Sequence, residues 1–433
     1  MKGTRWSWFR LWAIGLLGLL LWIGCQKSPL PMQSTGKPQS SPIPAVTVEV
    51  SDGLVCVEGV QNSGALFKLC MPENWNGDLF VWAHGYESPL KPISLPEDAE
   101  LVSLVTGMGY AYATTSYSKT GLAIKQGLQD VVDVVHLFQE HFAEPVDVFL
   151  VGGSEGGAVT TLAVEQHPEV FSGGLALCGP VGDFARQINY FGDFRVVFDY
   201  FFPGVLPGSA VDIPLEVMFN FESKYIPRIL NAIHAEPDKT LQLLRVTRAP
   251  YDPTDPSTID ETVVSVLWFN VFSTNDGRQT LGGQPFDNMN RRYRGSEDDR
   301  ALNAGVQRFA ADPAALAEIE RYYQTSGNLQ RHIVSIHTIG DPVVPYWHQP
   351  MYRKKVQQAG KSHFYDAAPI LRYGHCTFEP EEVLAAFAVL VARVKGESVA
   401  DVQTRLPTPK TRKIFRQFYN TLQETMAVSE PAF

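Results

Sequence analysis

Residues Val146-Asp147-Val148-Phe149-Leu150-Val151 form an apolar, β-branched run that passes directly into Gly152-Gly153-Ser154-Glu155-Gly156, with a helical pattern from Ala158. A strand that turns into a helix within Gly-x-Ser-x-Gly leaves few folds open. Glycines at 152 and 156 let strand and helix approach closely, and the serine between them sits on a strained turn. Its hydroxyl is lifted clear of the sheet at a helix N-terminus, where free N–H groups can hold negative charge. The plainer alternative is a glycine-rich βα turn that only packs a helix on a sheet.

The flanking chain fits a sheet covered by helices. Strand-like runs occur at Val46–Val50, Leu54–Val60, Ala65–Met71, Leu79–Ala83, Tyr110–Thr114 and Leu175–Cys178. Asp98–Gly107 and Ala158–His167 read as helices. Leu122–Phe142 is a long amphipathic one, with Val131, Val134, Val135 and Phe138 at helical spacing. After two or three antiparallel strands the alternation predicts an α/β fold with a mostly parallel central sheet. From about 183 to 330 the pattern is helical and broken by prolines, so a large helical insertion, a lid, is expected there. Ile333–Ile339 and Phe364–Ala367 resume as strands, and Glu381–Val394 is a final apolar helix. The core is thus split into 46–182 and 331–400, with 401–433 as a C-terminal tail.

A serine hydroxyl needs a base within hydrogen-bond reach, and that base needs an acceptor to fix its tautomer. Both groups are expected beyond the carboxyl ends of later strands. Gly340-Asp341-Pro342-Val343-Val344-Pro345 places Asp341 just past a strand, and Gly374-His375 lies in a loop before the last helix. Asp183, after the Leu175–Cys178 strand, is the competing acid. Asp366 lies inside a strand, and His337 and His348 read as structural or pocket-lining.

Together these motifs resemble the α/β-hydrolase superfamily over Val46–Gly182 and Arg331–Lys395. The resemblance implies a Ser154, Asp341, His375 triad, no cofactor and no metal. It also implies that the loop after Leu79–Ala83, His84-Gly85-Tyr86, supplies an oxyanion donor from the Tyr86 backbone N–H, paired with that of Glu155. His84 then braces the loop. Cys376 beside His375 resembles the tannase and feruloyl-esterase group, in which a disulfide ties the histidine loop near the nucleophile. Here Gly153, not cysteine, precedes Ser154, which leaves Cys178 as the available partner.

The N-terminus is read as a signal peptide over 1–25. Lys2, Arg5 and Arg10 precede an apolar run, Leu11 to Ile23, and Gly24-Cys25 resembles a bacterial lipobox with Cys25 as the lipidated residue. Trp22 departs from the usual aliphatic residue of such a box; a plain signal peptide or an uncleaved anchor is the alternative, and the apolar run is short for a membrane span, which disfavours the anchor. Gln26 after the cysteine resembles an outer-membrane sorting signal. Residues 26–45, rich in Ser, Pro, Lys and Gln, read as a flexible tether. Four cysteines remain. Cys56 and Cys70 flank a turn, Gln61-Asn62-Ser63-Gly64, and a hairpin disulfide fits them; Cys178 and Cys376 are the remainder. That second bond is geometrically demanding, because another strand is expected between their two loops. Buried free thiols are the alternative.

A net charge of −10 without a basic stripe argues against nucleic acid as a partner. Tyr190 to Pro203 is dense in aromatic residues, and Phe191, Phe194 and Phe198 are candidate walls of an apolar pocket, against the alternative of the insertion's own core. Arg291-Arg292-Tyr293-Arg294 is read as a solvated basic face or as pairing with Glu297, Asp298 and Asp299, with carboxylate binding as the alternative. The leading expectation is an exported, membrane-tethered serine hydrolase acting on a small-molecule ester or acyl substrate. A prolyl-type peptidase is the nearest alternative, with Glu155 as the candidate site for a peptide amine. A non-catalytic binding lipoprotein is the alternative of another class, and an intact triad argues against it. Oligomeric state is not legible.

Overall fold

The apolar runs become strands β1 (Thr47–Ser51), β2 (Leu54–Val60), β3 (Leu66–Pro72), β4 (Leu79–Ala83), β5 (Ala111–Thr115), β6 (Val148–Gly153), β7 (Gly173–Leu177), β8 (His332–Gly340) and β9 (Tyr365–Tyr373). The computed structural model describes residues 46–51, 53–406 and 408–427; the apolar N-terminal run, Cys25 and the tether lie outside them. All nine strands join one sheet in the order β1-β2-β3-β5-β4-β6-β7-β8-β9. The pairs from β1 to β3 and β3–β5 are antiparallel, and every later pair is parallel. After β4 the chain steps to one side for β5 and to the other for β6. The strand order therefore reverses at β4 and β6, whose carboxyl ends open a crevice for a ligand.

Each helix buries the face its spacing dictates. α1 (Ala99–Gly107) lies on one side of the sheet; α2 (Ile124–His141) and α3 (Glu155–Gln166) lie on the other. Val131, Val134, Val135 and Phe138 of α2 all face the core, and burial of each such side chain is worth about 1.5–3 kcal/mol. Between β7 and β8 the chain forms α4 (Phe184–Phe201), α5 (Leu215–Phe219), α6 (Ile226–Ala235), α7 (Pro237–Thr247), α8 (Ser257–Thr280), α9 (Asp299–Gly305) and α10 (Pro313–Tyr322). These helices build a separate apolar core of their own, around Phe194, Phe198, Val263 and Leu267. α11 (His348–Gln358) and α12 (Pro380–Lys395) cover the later strands. The segment expected as a tail holds α13 (Val399–Arg405) and α14 (Pro409–Ala427); α14 buries Phe415 and Phe418 in the core it shares with α12.

Two disulfides are present among the described residues. Cys56 and Cys70 sit opposite each other in the β2–β3 register, with Cα atoms 4.1 Å apart. Cys178 and Cys376 also pair, at 5.5 Å, although β8 separates their strands. The loop after β9 crosses the end of β8: Gly374 N–H donates to the Gly340 carbonyl at 3.1 Å and the Thr338 hydroxyl to the Gly374 carbonyl at 2.6 Å. The intervening strand thus supports the loop that reaches Cys178.

The elbow has no spare room. Ser154 holds φ 56° and ψ −122°, in the left-handed region that costs a non-glycine residue about 1–3 kcal/mol. A Cβ on Gly152 would collide with the Gly156 carbonyl, and one on Gly156 with the Ala83 and His84 carbonyls. Backbone cannot yield as a flexible side chain can. Gly156→Ala is therefore expected to lower unfolding free energy by on the order of 3 kcal/mol or prevent folding, measured by denaturant melts. A change within ±0.5 kcal/mol would contradict the packing described.

Candidate active site

Three chain segments meet over the carboxyl edge of the sheet. The elbow presents Ser154 at the start of α3, whose first turn carries no side-chain cap. The turn after β8 brings Asp341, fully buried, and the loop after β9 brings His375, whose side chain keeps 11% of its surface exposed. His375 Nε2 lies 2.8 Å from Ser154 Oγ, and its Nδ1 lies 2.7 Å from Asp341 Oδ2. The imidazole thus bridges hydroxyl and carboxylate. With Nδ1–H donated to the carboxylate, Nε2 is free to accept the serine proton.

Asp341 is a buried charge with several donors. Its Oδ1 accepts the backbone N–H groups of Val343 and Val344, each at 2.9 Å. His337 Nε2 approaches Oδ2 at 3.4 Å. Burial acts to raise the carboxyl's pKa, but the His375 charge and the hydrogen bonds from His337 and His375 prevail and hold it below the ordinary carboxylate range. His337 itself is oriented: its Nε2–H donates to the Val344 carbonyl at 2.7 Å, and Gln349 Nε2 donates to its Nδ1 at 3.1 Å. The Tyr365 hydroxyl fixes Gln349 in turn, at 2.8 Å. From the insertion, Gln187 and Tyr190 of α4 donate to the carbonyls of Val343 and Pro342, both at 2.8 Å. These supporting contacts were not anticipated, although the i,i+4 spacing of His337 and Asp341 was a usable signal.

The competitors lie elsewhere. Asp183 caps α4, accepting the Arg186 N–H at 3.0 Å and the Gln324 amide at 2.9 Å. Asp366 pairs with Arg393 at 2.9 Å. His348 is buried, accepts the Gly182 N–H at 2.9 Å and donates to Gln187 at 2.8 Å. Burial pushes its pKa well down, so it stays neutral.

The His84-Gly85-Tyr86 turn leaves β4 beside the elbow. A Cβ on Gly85 would stand 3.4 Å from both the Gly153 carbonyl and Ser154 Cβ, so glycine allows the close approach. His84 donates from Nδ1 to the Gly85 carbonyl at 2.7 Å and stacks on Tyr117, with ring centroids 3.9 Å apart. Burial lowers its pKa, and the ring acts as a brace for the turn. The Tyr86 hydroxyl donates to the Phe272 carbonyl at 3.1 Å, which ties the turn to α8.

An apolar pocket opens at Ser154. It encloses about 860 Å³ of space between protein atoms, part of it open to solvent. Tyr86, Glu155, Val343 and Val344 line it from the core; α4 and α8 supply Phe191 and Phe269. Phe191 stacks on Phe269, with centroids 5.2 Å apart. The structure corrects the other two aromatic candidates: Phe194 and Phe198 are fully buried in the insertion's own core, on the faces of α4 turned to its neighbouring helices. Arg291 is corrected too, since it pairs with Asp193 of α4 at 2.7 Å rather than with the acidic run that follows it.

Cys178, His375 and Cys376 form the group of metal-ligating atoms found among the described residues, within 4.8 Å of one another. The two sulfurs are bonded to each other, which leaves one imidazole as a ligand.

One family model, the prolyl oligopeptidase family, matches residues 105–188, which include the elbow. That match covers less than a fifth of the chain. Its fold is similar to feruloyl esterase B from Aspergillus oryzae, at 14% identity over 79% of this chain and 80% of that one, TM-score 0.44. Candida antarctica lipase A in its closed state is similar at 13% identity over 88% and 90%, TM-score 0.44. Pyrococcus horikoshii acylaminoacyl peptidase is similar at 12% identity over 90% of this chain but only 43% of its own length, TM-score 0.38. No curated protein sequence matches the chain.

Glu155, the residue after the serine, lines the pocket from a buried position. Its Oε1 accepts the Ala123 N–H at 2.8 Å, at the start of α2, and its Oε2 is buried without a partner among the described residues. Burial raises its pKa from 4.5 to about 8, against the pull of the Ala123 N–H. An acid whose pKa rises on folding keeps its proton in the folded chain after the unfolded chain has lost it. Stability therefore falls as pH rises from about 4.5 to about 8, by up to about 1.4 kcal/mol per pH unit, and levels off above. Glu155→Gln removes this titration. The stability of Glu155→Gln relative to the parent should climb across that window, read from denaturant melts at stepped pH; a pH-independent difference would contradict the burial of the charge.

Proposed function

We propose that this chain cleaves carboxylic esters by acyl transfer to Ser154. The observation that carries the reading is the imidazole of His375, 2.8 Å from Ser154 Oγ and 2.7 Å from Asp341. As Oγ attacks the ester carbon, its proton passes to His375 Nε2 and the carbonyl oxygen takes the negative charge. Backbone N–H groups of Tyr86 and Glu155 are assigned to that oxygen, and two preorganised donors there are worth several kcal/mol of barrier. The C–O bond to the alcohol then breaks, and His375 returns the proton to the leaving oxygen. Water repeats the sequence on the acyl-enzyme: His375 takes its proton, the acid departs, and Ser154 Oγ is reprotonated. Asp341 holds Nδ1–H and stabilises the imidazolium without itself taking the proton.

The pocket supports esters over peptides. Its wall is mostly aliphatic and aromatic, and Glu155, the candidate for an amine, is buried and engaged with Ala123. The family-model match over residues 105–188 keeps prolyl-type peptide cleavage as the second reading. Helices α4 and α8 roof the pocket and fit a lid that excludes water while the acyl-enzyme persists. Two disulfides support maturation in an oxidising, exported compartment. Among the described residues no helix is long and apolar enough to cross a membrane. Anchoring is assigned to a lipid on Cys25, with residues 26–45 as tether.

A fluorophosphonate probe should label the parent chain at Ser154 and leave Ser154→Ala unlabelled. Asp341→Asn should lower kcat on a short ester by on the order of 10³–10⁴-fold, because the amide favours the wrong histidine tautomer. Asp183→Asn should keep activity within about threefold of the parent, since an asparagine still caps α4. Loss of activity in Asp183→Asn with Asp341→Asn intact would move the acid. Amide turnover that matches ester turnover in a panel of both would favour the peptidase reading.

A further inference from the structure

One glycine in the pocket wall has no structural reason to be glycine. Gly277 lies inside α8, where glycine is disfavoured for its backbone freedom. Its φ is not left-handed, so the backbone does not call for glycine. No atom of another element lies within 4 Å of the position a Cβ would take, so packing does not call for glycine either. Yet Gly277 is buried and lines the pocket that begins at Ser154. Gly107 also meets nothing, but it is exposed at a helix end. A buried helical position facing empty space keeps that space open.

The geometry also says which half of an ester lies there. Around a tetrahedral carbon bound to Ser154, the leaving oxygen must face His375 Nε2, which protonates it. The pocket is lined by Ser154 and by both residues assigned to the oxyanion, Tyr86 and Glu155, while His375 is not among its walls. The remaining substituent, the acyl chain, is the one directed into it. Most of its walls are apolar, and Gln187 is engaged with Val343 and His348, Asn270 with Ala210 and Ser273 with Phe269; Glu155 keeps one oxygen unpaired among the described residues and is uncharged near neutrality. Such walls suit hydrocarbon.

Resting on the ester reading above, we propose that this pocket is the acyl site and that Gly277 sets the length of acyl chain it admits, which selects esters of medium-chain or bulky apolar acids over acetates. A leucine at 277 fills the space of several methylenes and excludes the end of the chain.

The experiment measures kcat/KM for para-nitrophenyl acetate, butanoate, octanoate and dodecanoate with the parent, Gly277→Ala and Gly277→Leu. The parent should prefer octanoate to acetate. In Gly277→Leu the octanoate-to-acetate ratio should fall by about tenfold or more, since each methylene left outside loses its transfer from water. Gly277→Ala should fold, with a melting temperature a few degrees higher because alanine is the better helix former, and with a smaller drop in the ratio. If the leucine variant does not fold, the alanine variant carries the test at reduced amplitude. An unchanged ratio in folded variants overturns the assignment of Gly277. A parallel series of alkyl acetates varies the alcohol: if Gly277→Leu shifts that series instead, the pocket holds the alcohol and the acyl assignment falls. A parent chain that takes the fluorophosphonate label but hydrolyses no ester of any length overturns the ester reading, and this inference with it.

Discussion

The backbone of Ser154 is the constraint on which the rest depends. An L-residue at φ 56° is held there only if its surroundings allow no relaxed alternative. Close packing supplies that restraint. Gly152, Gly156 and Gly157 bring β6, β4 and the Gly179 turn within contact of the start of α3, and nearly every side chain of α3 is buried. The strain at one residue is offset by an extensive core, so the serine is aimed by the whole sheet rather than by its own loop. The same approach brings the His84-Gly85-Tyr86 turn against the elbow.

Electrostatics is the second constraint. A buried carboxylate such as Asp341 is tolerable only when its oxygens are satisfied. Two backbone N–H groups, His375 and His337 do this, and His337 is oriented by Gln349 and Tyr365. Gln187 and Tyr190 reach the acid turn from α4. The insertion is thus bonded to the base of the site as well as roofing its pocket. Motion of α4 as a rigid unit would disturb the turn that holds the acid. Access to Ser154 is therefore easier to picture through side-chain movement around Phe191 and Phe269 than through departure of α4.

Glu155 shows how one position serves two structural ends. Its backbone begins α3 next to Ser154, and its carboxyl meets the start of α2. In water that carboxyl would be charged at neutral pH; buried among Tyr86, Tyr117 and Tyr323, it holds its proton up to about pH 8. The pocket floor is then uncharged near neutrality, in keeping with its apolar walls.

Much of the site was legible because its signals are local. A strand followed by Gly-x-Ser-x-Gly, a Gly-Asp turn after a strand and a Gly-His loop each require particular residues within a few positions, and short-range backbone geometry demands them. Strand and helix periodicity likewise report one element at a time, so β2, β4, α2 and α12 were recognisable in place. What failed was long-range. Phe191, Phe194 and Phe198 share one helix, and no local pattern tells which ring meets the pocket and which meets α8. Arg291 had acidic neighbours in sequence but found Asp193, ninety-eight positions earlier. The β8 strand that argued against a Cys178–Cys376 bond turned out to carry the loop that makes it. Gly277 sits in a helix, and none of its neighbours in sequence reports the open space beside it. The sequence alone determined the elbow, the turns that carry Asp341 and His375, and the α/β framework, since these rest on local backbone chemistry. Only tertiary structure decided the pocket's walls, the support of Asp341 and the protonation of Glu155, because burial and close approach are properties of segments far apart in the chain.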